Sequence, residues 1–227
     1  MQTNTNSHET DPIVKTILGR EKVLELIEVK KTCLASVFPE FQPVFDDTGL
    51  YQTPDNGWQV NFRHDLNRES HDNAGWNYAA MTLRPGTCDL FELHGAICGK
   101  WYAEGGVWDN SSGEWKNGWL GWPVSDELTC EGDDRISFFE NGTIFWDSRQ
   151  QQVVARSWEE TRKLFCQEAD RGCAWAQLFL GDCLLRGLGI QPDYSQAFKW
   201  FSIAKENGSA EAEARLQLAA RKLILSL

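Results

Sequence analysis

The sequence predicts an α+β protein. A small N-terminal region of one helix on an antiparallel sheet runs into a Trp/Gly-rich module, and a C-terminal α-helical hairpin repeat follows. Three observations predict this. Apolar residues change from helical spacing to strict alternation near residue 58. Six of the 11 tryptophans fall between Trp101 and Trp146, among glycines. From about residue 151 helical spacing returns and repeats at a period of 36. The 227 residues suit one to two domains. We divide them into a disordered tail at 1–10, an α+β region at 11–150 that includes the module at 94–148, and a helical repeat domain at 151–227.

Asp11-Pro12 is a helix start, with Pro at the first helical position. Ile13, Ile17, Leu18, Leu24, Ile27, Leu34 and Phe38 follow at amphipathic spacing, with a break near Gly19 and a stop at Pro39. Trp58, Val60 and Phe62 alternate with polar residues, as a strand with one buried face does. Residues 76–83 and 87–93 are further strands, joined by a turn at Pro85-Gly86, and the polar stretch 64–75 reads as a loop. Trp101, Trp108, Trp115 and Trp122 recur every seven residues, but Gly105, Gly106, Gly113, Gly118 and Gly121 exclude a coiled coil. Asn141-Gly142 between apolar runs is a hairpin signal.

In the last region Ser157 caps a helix through residue 170 that Gly172 closes. A second helix fits 174–186, ended by Gly187 and Gly189. Pro192-Asp193 opens a third, through Glu206, and a fourth runs from Ala210. At the 36-residue period Phe165 matches Phe201, Ala174 matches Ala210, Ala176 matches Ala212 and Leu180 matches Leu216. Small residues sit where helices approach closely, and large ones fill the layers between. With Ala176, Leu180, Gly181, Gly187, Gly189, Asp193, Ala197, Trp200, Phe201, Ala204 and Gly208, this segment resembles a Sel-one-like repeat, a relative of the tetratricopeptide repeat. The resemblance implies stacked helical hairpins used for protein–protein contact, with no catalytic residues. One full unit is too short for a long concave groove, so it is expected to pack on the rest of the protein.

The middle segment resembles the LGFP repeat through Gly95, Ile97, Trp101, Gly105, Gly106, Leu120, Gly121, Pro123, Phe138, Gly142 and Ile144. Its four signature residues read Leu120-Gly121-Trp122-Pro123, and WDNSSGEWKN is an insertion. The resemblance implies a short helix, a glycine turn and a hairpin around aromatics. Its known setting is the bacterial cell wall, which makes glycan or cell-wall binding the alternative function.

The net charge is −11. Residues 1–95 and 96–150 each carry −6, and residues 151–227 carry +1. Such a surface repels nucleic acid and anionic lipid and speeds encounter with a basic partner. No apolar run approaches a membrane span, and the polar N-terminus has no signal pattern, so a cytoplasmic location is expected. Seven scattered cysteines without CxxC read as reduced thiols. His64-Asp65 and His71-Asp72 flank Glu69 in one loop but lack further histidines nearby, so no metal site is assigned. Ser125-Asp126-Glu127 and Glu131 to Asp134 read as an acidic rim or solvated loop. No nucleophile elbow or phosphate loop occurs, and neither an enzyme nor a cofactor is expected.

The function expected is therefore non-catalytic binding of one basic protein, in the specific form of an immunity protein that inhibits a cognate bacterial toxin. Aromatics among polar residues make interface anchors and carboxylates steer. The contact residues expected are Trp108, Asp109, Glu114, Trp115, Trp119, Asp133 and Asp134.

Overall fold

The computed structural model describes residues 18–37, 50–63, 78–104, 106 and 118–226. Their elements form five layers: a helix, a sheet, a helix, a second sheet and a group of four helices. The tail at 1–10, the helix start at Asp11 and the polar loop at 64–75 lie outside the described residues.

Helix α1 (Arg20–Val37) begins immediately after Gly19 and turns Val23, Ile27 and Leu34 inward. They pack on Trp58, Val60, Met81 and Leu83 of the first sheet. That sheet joins β1 (Leu50–Gln52), β2 (Trp58–Arg63), β3 (Tyr78–Leu83) and β4 (Leu90–His94) as an antiparallel meander. Ala79, Met81 and Leu83 face α1 while Ala80 faces the other way, as the two-residue period of a strand requires. The run expected to be strand from 87 pairs only from Leu90.

β4 leads directly into α2 (Gly95–Ala103), which lies between the two sheets. Its Ile97, Cys98 and Trp101 share one core with Ala80 and Leu93 on one side and Phe139 and Ile144 on the other. The second sheet joins β5 (Leu128–Thr129), β6 (Arg135–Phe139), β7 (Gly142–Asp147) and β8 (Gln152–Ser157), again antiparallel in chain order. The hairpin expected at Asn141-Gly142 is β6–β7, at the centre of this sheet.

Residues 152–157 correct the sequence reading, which began the helical region at 151. They form β8, paired along β7 from Gly142↔Ser157 to Asp147↔Gln152. Pairing decides the matter: along β7, Val153 and Ala155 turn toward α2, and the strand covers an edge that β7 would otherwise leave open.

Helix α3 (Trp158–Asp170) starts in a capping box, with Ser157 Oγ accepting from the Glu160 amide and the Glu160 carboxylate accepting from the Ser157 amide. Helices α4 (Ala174–Arg186) and α5 (Tyr194–Glu206) keep the expected bounds. Gly187 closes α4 in the left-handed conformation, and Asp193 Oδ1 accepts from the Gln196 amide to cap α5. Helix α6 (Ala212–Leu225) begins two residues after Ala210. The 36-residue period is a packing period, since Phe165 and Phe201, and Ala176 and Ala212, are all fully buried.

Candidate functional site

The repeat packs against the second sheet, as its length requires. Residues 176–185 of α4 are all buried. Phe138 of β6 stands edge-on to Phe179 of α4 at 5.4 Å and to Trp158 of α3 at 5.5 Å, and lies 6.2 Å from Phe165. Arg186 Nη2 donates to the Val124 carbonyl at 2.6 Å. On the other side of α4, Gly181 admits the ring of Phe201. A β-carbon at 181 would stand 2.5 Å from that ring. The sheet thus fills one side of the hairpin, and the outward side of α5 presents Phe198 (40% exposed) and Ile203 (38%) to solvent.

Residues 176–209 match the family model of the Sel1 repeat. The match spans α4 from its third residue, the connecting loop, all of α5 and the turn after it through Ser209. Sel1 repeats are generally non-catalytic protein–protein interaction modules. No curated protein matches the chain.

The module before the repeat holds the tryptophan cluster, whose members divide. Trp101 and Trp122 are core: Trp101 Nε1 donates to the Gly121 carbonyl at 3.2 Å and Trp122 Nε1 to Asp55 Oδ2 at 2.9 Å. Trp119 is 45% exposed. Its Nε1 donates to Glu104 Oε2 at 2.7 Å, and Asn141 Nδ2 donates to its carbonyl at 3.0 Å. Gly121, at φ +72°, turns the chain so that residues three apart part company, one outward and one inward. Trp146 is half-buried. Trp108, Asp109, Glu114 and Trp115 lie outside the described residues.

Asp133 and Asp134 belong to the turn before β6. Asp133 is exposed. Asp134 is half-buried, and its Oδ1 accepts from the Ser148 amide at 2.8 Å and hydroxyl at 2.7 Å, clipping this turn to the one after β7. Trp119 is held at the Asn141 end of β6 and Asp133 precedes its other end. Five strand residues, about 17 Å, separate them. The structure therefore does not bring Trp119 and the Asp133-Asp134 turn into one patch.

Ser125-Asp126-Glu127, read from the sequence as an acidic rim or solvated loop, is an internal clamp. Ser125 Oγ accepts from the Phe138 amide at 2.8 Å. Asp126 Oδ1 accepts from the Glu92 amide at 3.0 Å, and its Oδ2 binds Lys30 of α1. Glu127 Oε1 lies 3.2 Å from His94 Nε2, and Glu92 Oε2 lies 2.8 Å from His94 Nδ1. Burial lowers the His94 pKa, but the Glu92 hydrogen bond and the two carboxylate charges outweigh it and raise the pKa to about 9. Burial, reinforced by the Glu92 charge, lifts Glu127 to about 7 against the opposing pull of His94 and Arg135. At neutral pH a protonated His94 bridges two carboxyl groups from separate segments, fastening the entry to β5 onto β4. Sequence reasoning misses this group. Glu92 and His94 share a strand face by their spacing of two, but Glu127 comes from 33 residues further on.

Burial pushes the thiols of Cys98, Cys130 and Cys183 up, so they stay protonated. Among the described residues, no group of three or more His, Cys, Asp or Glu side chains is placed to hold a metal ion. His64, Asp65, Glu69, His71 and Asp72 lie outside them. No helix among the described residues is long and apolar enough to cross a membrane.

Proposed function

We propose that this protein is a non-catalytic, cytoplasmic protein-binding protein with one basic partner, and that it acts as an immunity protein restraining a bacterial toxin. The Sel1 match at 176–209 is the observation that carries the binding role. The net charge of −11 supports a basic partner, because the acid excess lies wholly in residues 1–150. The contact set we propose is Trp108, Asp109, Glu114, Trp115, Trp119, Asp133 and Asp134, with Trp119 and the Asp133-Asp134 turn as two separate points that a partner protein would have to span. Among its described members Trp119 is the exposed aromatic anchor and Asp133 the open carboxylate, while Asp134 acts chiefly by holding the turn that presents Asp133. The toxin-inhibitor form rests on charge and architecture together. An acidic inhibitor is steered to a basic toxin, and aromatics then hold it.

The Trp-rich segment 94–148, with its resemblance to LGFP repeats, supports the alternative of glycan or cell-wall binding. Affinity capture by the tagged full-length chain from lysate of its source cells separates the two. One stoichiometric basic protein is the expected result. Retention of the chain on cell-wall fragments, with no protein recovered, would replace this reading by the glycan one.

A further inference from the structure

Helix α6 has two faces. Ala212 and Ala219 are fully buried and Leu216 is half-buried against the helical core. The opposite face carries Ala214, Leu218, Arg221 and Leu225, all exposed and spaced four, three and four apart. Ala214, Leu218 and Leu225 thus fall at seam positions of a two-helix coiled coil, with Arg221 as the one charged residue in the seam. Leu218 is 43% exposed and Leu225 83%, and Ile224 beside them is 70% exposed.

The repeat itself argues against a further helix pair stacking here. At the 36-residue period Gln217 stands where Gly181 does in α4. Phe201 occupies the space that the missing side chain at 181 leaves, and Gln217 offers no such space. A basic partner does not suit the face either, since Arg221 and Lys222 are exposed on it.

The charges on α6 are complementary to themselves. Glu211 and Glu213 stand at its start and Arg221 and Lys222 in its last turns. Two copies crossing antiparallel about Leu218 would set residue 211 of each opposite residue 225 of the other. Glu211 would then lie about one turn from the other copy's Arg221 and Lys222, and Arg215, which this crossing sets opposite Arg221, is already paired with Asp182 of its own chain at 2.9 Å. A parallel pair would instead oppose like charges. A self-complementary patch of this kind is what a two-fold interface needs.

We propose that the outer face of α6 is the site of self-association, pairing antiparallel with α6 of a second copy of this chain. This goes beyond the proposed partner binding, which uses the acidic region before the repeat. A 14-residue helix is only about 21 Å long, and one helix face falls below the roughly 800 Å² per partner of a standard interface. The dimer is therefore weak and concentration-dependent.

Sedimentation velocity of the full-length chain, from about 1 to about 200 μM, reads the association directly. The expected result is a mass rising from 25.8 kDa toward twice that value. Leu218→Glu should weaken dimerisation at least about tenfold. Arg221→Glu should weaken it about as much, and adding Glu211→Lys to Arg221→Glu should restore most of the loss. All three positions are exposed, and unchanged circular-dichroism melting of each variant confirms folding. A monomer at every concentration would overturn the proposal. So would a dimer indifferent to Leu218→Glu, or a charge exchange that fails to restore association.

Discussion

Replacing Phe138 with Ala should loosen the helical repeat from the sheet on which it packs. The ring is fully buried and meets Trp158, Phe165 and Phe179 at centroid distances of 5.4 to 6.2 Å. Two of the three contacts are edge-on, the geometry that aromatic pairs favour. The partners come from α3 and α4, so the cavity would open between layers and not at a surface. Phe-to-Ala changes in cores cost about 3–5 kcal/mol. For a chain of this size each kcal/mol lowers Tm by about 2–4 °C, so a fall of about 6–20 °C is expected. Urea unfolding followed by circular dichroism at a helical wavelength and by tryptophan fluorescence measures this. The two probes should shift together, because one core joins the sheet to the helices. A cost below about 1 kcal/mol, or a helical transition that stays at its wild-type midpoint, would refute the view that the sheet supports the repeat.

Three further outcomes follow from named contacts. Gly181→Ala places a β-carbon about 2.5 Å from the Phe201 ring and should cost about 1–3 kcal/mol by parting α4 from α5, read as a lower urea midpoint at unchanged slope. His94 holds its proton to about pH 9 in the folded protein but only to 6.5 when unfolded, so its stabilisation is complete below pH 6.5 and lost as pH rises through 9. Glu127, lifted from 4.5 to about 7, also favours the protonated fold, so stability falls in the same sense as pH rises from 4.5 to 7. Denaturation at pH 6 and 9.5 should differ by on the order of 2 kcal/mol in wild type, and His94→Gln should flatten the slope above pH 7; an unchanged slope would remove His94 from the explanation. Trp119→Ala should leave unfolding within about 1 kcal/mol of wild type while weakening capture of the protein partner about tenfold or more, and a melt as damaged as that of a core variant would place Trp119 in the core.

The helix pairs were the most legible part of the sequence because their ends carry their own chemistry. Gly172, Gly187 and Gly208 close helices in the left-handed region, and Ser157 and Asp193 supply capping oxygens within three residues of the amides they bind. Strand β8 was not legible as a strand, because its pairing partner β7 and not its local composition decides its state. β1, three residues long, has too few positions to show alternation. Spacing alone does not separate Trp119 from Trp122; the polar company of Trp119 is what set it apart in the sequence, while the turn at Gly121 and the distant acceptor Asp55, which draw Trp122 inward, are not legible there. For the same reason the acids at 126 and 127 read as surface when their partners Lys30, Glu92 and His94 lie 30 or more residues away.

Association kinetics between this chain and its captured partner, measured from about 50 to about 500 mM salt, test the proposed binding mode most directly. Acidic steering of a basic protein predicts an association rate that falls at least about tenfold across that range, with a smaller change in dissociation. A rate indifferent to salt would contradict the reading of this protein as an acidic binder of a basic partner.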